Sequence, residues 1–164
     1  MVAVALSLVL WRATDRPDVL IAATGGLVGV TGPEGRALSK PRGEGFVAGI
    51  WLENDGAPAD QAEAHQRPAF TDDDGVPAAQ VAGQVFFHLH RKRHAERARH
   101  LCREGAWLIS PLPLEGGGGP CRVLDAPRLR QSGSVAVFAG RDGVRVRTTA
   151  GHSGTRLWTV PSGQ

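Results

Sequence analysis

Glycine and proline cut this chain into short pieces, and that punctuation constrains the fold more than any other feature. With 22 Gly and 11 Pro among 164 residues, long uninterrupted helices and strands are disfavoured, because glycine loosens an element and proline removes a backbone donor. The share still falls short of the level at which a chain stays disordered. A length of 164 residues with 41% apolar content suits one domain with a core of its own. Short elements joined by many turns are therefore expected.

Asp18 to Ala23 and Leu27 to Thr31, separated by Thr24-Gly-Gly26, read as a β-hairpin, with a third short segment at Ala37-Leu38. Phe46, Val47, Ile50 and Trp51 fall at helical spacing and predict a helix over Gly45 to Leu52 that packs Trp51 into the core. The polar stretch near residues 53–80 is expected to be a mobile surface insert. Val81 to Leu89 reads as a buried strand, Arg93 to Glu104 as a helix stopped by Gly105, and Ala106 to Ser110 as a second strand. Together they make a strand–helix–strand unit. Leu114 to Pro120 reads as a flexible connection. Arg122 to Asp125, Ser134 to Ala139 and Val144 to Thr148 are strand candidates, the last two joined by the turn Gly140-Arg-Asp-Gly143. Alternation of Val144, Val146 and Thr148 with Arg145 and Arg147 predicts one buried and one cationic face. The expected class is α+β, with β-hairpins flanking a strand–helix–strand centre.

The formal charge of +3 is too mild to imply a nucleic-acid partner by itself. Its distribution says more. Arg91, Lys92, Arg93, Arg97, Arg99 and Arg103 gather beside His88, His90 and His94, opposed only by Glu96 and Glu104. Arg91, Lys92, Arg93, Arg97 and Arg99, with Arg145 and Arg147, are candidate DNA phosphate contacts. The alternative is a solvated amphipathic face, and no aromatic residue interleaves the cluster to stack bases.

His88-Leu-His90, with His94 four residues on, invites comparison with the HxHxDH motif of metallo-β-lactamases, which holds two zinc ions. Here Lys92 stands at the aspartate position and Arg93 at the histidine position, so cations replace ligands. No metal site is assigned. Asp72-Asp-Asp-Gly75 lacks the later glutamate of a calcium loop and reads as a solvated turn. His152-Ser153 with Asp142 has no GxSxG context. The residues support no catalytic group, cofactor or small-molecule ligand.

Cys102 and Cys121 have no CxxC spacing. They are either two separate core thiols or one bridge, which requires an oxidising compartment. Met1 to Trp11 is apolar apart from Ser7 and would span about 16 Å as a helix, half a bilayer core. Residues 1–12 read as the end of a transmembrane helix closing at an interfacial Trp11-Arg12, or alternatively as an apolar first strand. Residues 13–164 then make a single soluble domain.

Several short motifs follow one another in a telling order. Arg16-Pro17-Asp18 leads into the hairpin over Val19 to Val30. Leu101-Cys102 runs on to Pro113, a second cysteine opens Cys121 to Asp125, and Ser132 to Phe138, Gly143 to Thr148 and Trp158 to Pro161 complete the series. This order resembles the carboxy-terminal soluble tail of the ComEC family of DNA-internalisation competence proteins, in its alphaproteobacterial form. The likeness covers most of the chain apart from about residues 53–80. There are departures. Thr71 to Gly75 stands where family members tend to carry another cysteine pair, Asp125-Ala126 replaces Asp-Arg, and the acidic residue after the helix cysteine is missing. The resemblance therefore implies a drifted or truncated copy. It also implies a reduced metallo-β-lactamase-like fold without metal ligands, a bacterial inner-membrane protein and a periplasmic tail in which a Cys102–Cys121 bridge is credible. The partners implied are DNA, weakly held, and the membrane channel portion of a ComEC-like protein. The expected role is non-enzymatic, in competence, DNA uptake and transformation. A degenerate metallo-β-lactamase-like hydrolase or nuclease using His88, His90 and His94 is the alternative.

Overall fold

A computed structural model describes residues 15–115, 119–141 and 143–154. Ten strands and six helices are placed in it. The strands are β1 (Val19–Ile21), β2 (Val28–Gly32), β3 (Gly35–Leu38), β4 (Thr71–Asp73), β5 (Val76–Val81), β6 (Gln84–His88), β7 (Ala106–Ile109), β8 (Arg122–Leu124), β9 (Val135–Gly140) and β10 (Gly143–Thr148). The helices are α1 (Gly45–Asn54), α2 (Gln61–Gln66), α3 (Lys92–Ala95), α4 (Ala98–Leu101), α5 (Ala126–Ser132) and α6 (Thr149–Ser153). The fold is mixed α+β.

The strands form two five-stranded sheets, ordered β10-β9-β1-β2-β3 and β4-β5-β6-β7-β8. Every pairing in the first is antiparallel. In the second, β6, β7 and β8 run parallel, so the expected strand–helix–strand crossover is present. The sheets pack face to face. Val19, Ile21, Val28, Val30, Val135 and Val137 of the first meet Ala79, Phe86, Trp107 and Ile109 of the second, with Leu129 of α5 in the same cluster.

Period two explains why β6 and β7 are apolar on successive residues. Phe86 and Trp107 stack between the sheets, ring centroids 5.1 Å apart. Phe87 and Leu108 point the other way, beneath Ala98 and Leu101 of α4. On the far side α1 and α2 lay Ala48, Leu52 and Ala64 over Ala22, Leu27 and Leu38. The layers thus run helix, sheet, sheet, helix. Full burial of each large apolar side chain contributes about 1.5–3 kcal/mol.

Two polar stitches cross this apolar frame. Arg36, 1% exposed, is held by both carboxylate oxygens of Asp55, just past α1, and donates to Pro17 O at 3.1 Å. Asp125 caps α5, accepting from the Arg128 amide at 3.3 Å and also from the Leu114 amide at 3.1 Å.

Several expectations are corrected. The stretch near 53–80 is not an irregular insert but holds α2, β4 and β5. Asp60 and Glu63 close a capping box at the start of α2, and Val76, Ala78 and Ala79 are core residues. Trp51 is only half-buried, and Ala48 and Leu52 are the inward residues of α1. The helix expected over Arg93 to Glu104 is two single turns, interrupted at Glu96 and Arg97, and it ends at Leu101, where Cys102 turns to extended geometry and bonds Cys121. The last strand is an edge strand whose Val146 is 37% exposed, so its apolar face is only partly buried. Helices α5 and α6 were not foreseen. The apolar segment over 1–12 and Trp158 to Pro161 lie outside the described residues. Among those described, no helix is long and apolar enough to cross a membrane.

Candidate functional site

The site is built where β6 runs out between the sheets. His88 points inward like Phe86 two residues earlier, and its Nε2 lies 3.1 Å from Gly25 O in the β1–β2 turn. That close approach requires glycine, since Gly25 has φ +69 and a Cβ there would meet Ser110 O at 2.4 Å. His90 Nδ1 folds back toward His88 O at 3.3 Å. The rings of His88 and His90, and of His90 and His94, lie 4.9 Å apart. Sequence spacing brought these three together correctly, yet His94 is buried rather than part of the basic face.

All three imidazoles are neutral near pH 7. Burial is the main cause for His88, reinforced by His90, Lys40 and His94, and its pKa falls to about 3. Burial again leads for His90, lowered to about 4 against the pull of the His88 carbonyl. His94 is lowered by burial, then by Arg93 and Arg91. Unprotonated imidazoles are metal ligands by chemistry, and His88 Nδ1 and both ring nitrogens of His94 are buried without a hydrogen-bond partner. The arrangement nevertheless does not fit a metal. His88 Nε2 is engaged by Gly25, and Arg91, Lys92 and Arg93 bring three like charges to the loop. Among the described residues no group of three His, Cys, Asp or Glu side chains is set to hold an ion.

The cationic residues fall into two separated sets. Arg91, at the N-cap of α3, and Lys92 and Arg93 in its first turn are exposed, and no ion pair among the described residues engages them. Arg99 is exposed on α4, whereas Arg97 is tied to Asp74 of the β4–β5 turn. Arg145 and Arg147 lie far around the sandwich on β10, both over the Phe138 ring at 4.9 and 5.2 Å, and Arg145 also pairs with Asp15. Phe138 faces away from Val137 and the inter-sheet core, so these two arginines are on the outer side of the first sheet. The fold brings Arg91, Lys92 and Arg93 together but does not join them to Arg145 and Arg147.

Cys102 and Cys121 form a disulfide, with Cα atoms 5.0 Å apart. Asp72 to Gly75 is a tight turn in which the Gly75 amide donates to Asp72, as expected of a solvated turn. His152 and Ser153 are neighbours on α6, and Asp142 lies outside the described residues. Sequence reading missed Arg36 and Asp55, whose pairing spans 19 positions, and it missed the capping role of Asp125. The signal available for the latter was Asp before Ala-Pro, an N-cap with proline in the first turn. No family model, curated protein or solved structure matches the chain.

Proposed function

We propose that this chain is a non-catalytic, membrane-proximal tail domain of a ComEC-type channel that passes single-stranded DNA across the bacterial inner membrane. The observation that carries the reading is the β6–α3 loop. A metallo-β-lactamase-like sandwich would present metal ligands there, and this chain instead presents three neutral imidazoles behind exposed Arg91, Lys92 and Arg93. The helix–sheet–sheet–helix layering supports a reduced relative of that fold. Exposed cations that pair with no carboxylate among the described residues suit phosphate contact, where each one releases a condensed counterion. The disulfide supports a periplasmic setting, because such bonds persist in oxidising compartments.

Fluorescence anisotropy with a labelled single strand tests this. Affinity is expected to fall steeply with salt, and Arg91→Ala, Lys92→Ala and Arg93→Ala together should flatten the log–log slope by about 2. An unchanged slope, or no binding at low salt, refutes the DNA contact. The unpartnered nitrogens of His88 and His94 favour one second reading, a degenerate metal-dependent hydrolase. Stoichiometric zinc in the purified protein, lost in His90→Ala, would replace the non-catalytic reading with that one.

A further inference from the structure

We infer that the outer face of α1 rests on the surface of a lipid bilayer, with Phe46 and Ile50 in the boundary between headgroups and acyl chains. The inference rests on the membrane-proximal reading above and assigns it a contact surface. Helix α1 carries no charged residue from Gly45 to Leu52. Its inner side is Ala48 and Leu52, yet Phe46 is 83% and Ile50 42% exposed on the other. Helices apolar all round are normally covered on every side. A Cβ added at Gly45 or Gly49 would meet nothing, so the described chain leaves this face open.

What covers it is indicated by where the chain enters. Asp15, Arg16, Pro17 and Leu20 line one groove with Ile50 and Trp51, about 520 Å³ in volume. The apolar sequence ends at Trp11, and only Arg12 to Thr14 separate it from Asp15. Four residue steps reach at most about 14 Å. If the membrane-proximal reading holds and that apolar sequence enters the bilayer, so short a reach would keep α1 at the level of the headgroups. The charges agree. Arg42 is exposed just before α1, and exposed Arg16 donates to Asp55 O at its far end. Glu44 is engaged by Thr24 and Asp55 by Arg36, while exposed Glu53 follows the apolar strip. Basic groups at both ends of an apolar strip match an anionic bilayer.

The test uses the full chain in vesicles of phosphatidylethanolamine and phosphatidylglycerol, with the native disulfide kept oxidised. A polarity-sensitive probe is placed in turn on Phe46→Cys, Val4→Cys and Glu96→Cys, and brominated acyl chains serve as quencher. Probes at positions 46 and 4 should be quenched and the probe at 96 should not. Adding Ile50→Asp to the Phe46→Cys protein should cut quenching at 46 severalfold. Quenching at 4 without quenching at 46 overturns this inference and leaves the membrane-proximal reading standing. Quenching at neither position overturns both. A probe at 46 already shielded without vesicles means that protein covers the face, either a second copy or the chain's own apolar run, and overturns the bilayer contact.

Discussion

The two sides of the sandwich bury polar groups by opposite means. On the α1 side, the Arg36 guanidinium is matched by the Asp55 carboxylate and the Pro17 carbonyl. On the α3 side, burial drives His88, His90 and His94 toward the uncharged form, and His88 and His94 keep unpartnered ring nitrogens. A matched ion pair is indifferent to pH across the neutral range but intolerant of losing either member. A desolvated imidazole cluster tolerates neutral pH and is exposed to acid. The contrast shows that burial alone does not predict fragility; the state in which the group is buried does.

The largest effect should come from breaking the matched pair. Asp55→Ala leaves the Arg36 guanidinium buried and unpaired, and should cost about 3–5 kcal/mol in urea unfolding. The double change Arg36→Met with Asp55→Leu should recover most of that, because the desolvated charges leave together. Acid should then find the other side. His88 binds its proton more weakly when folded than the ordinary pKa of 6.5, so the unfolded chain takes up the extra proton as pH drops. Its contribution is complete above about pH 6.5 and is lost on falling toward pH 3. The slope should be on the order of 1.4 kcal/mol per pH unit, and His88→Asn should flatten it.

A further sharpening concerns Asp125. Burial would raise its pKa, but the Leu114 amide, the Arg128 side chain and the Arg128 amide outweigh it and hold it low. Its contribution is therefore present above the ordinary carboxylate value near 3.8 and is lost only at lower pH. Asp125→Asn should leave the neutral-to-pH 5 segment of the acid curve unchanged. Opening the Cys102–Cys121 bridge, which closes a separation of 19 residues, should cost about 3 kcal/mol without shifting that curve. Smallest of all, Phe46→Asp in detergent-free solution should stay within about 0.5 kcal/mol, as fits an exposed surface position.

The hairpin over β1 and β2, the α1 helix and the strand–helix–strand centre were legible because their apolar residues keep a local period. Helix α2 was not, since Gln61 to Gln66 offers Ala64 as its one buried residue; only the Asp60–Glu63 spacing announced it. β4 was missed because it is three polar residues beside a turn, and β5 because Pro77, two alanines and Gln80 give its sequence VPAAQV little apolar signal. At the candidate site the spacing of His88, His90 and His94 was visible, and so was the excess of cations. Their loss of charge was not visible, because it depends on the depth between two sheets and on Lys40, against the pull of the Gly25 carbonyl on His88. The same holds for Arg36. Nothing in its neighbours tells that a carboxylate 19 residues on will be delivered by the end of a helix.

The order β10-β9-β1-β2-β3 sets a timetable. β1 is central in its sheet although it comes first among the described strands, and one neighbour, β9, is anchored beside it by an Asp18–Ala139 bond across 121 residues. A chain emerging from its amino end can make the β1–β2–β3 meander at once, but an open strand edge then waits until residues 135–140 arrive. Long-range closure of this kind is slow, and the waiting edge invites other strands. The β1 edge therefore stays unpaired on that side until nearly the whole of the described fold has been delivered.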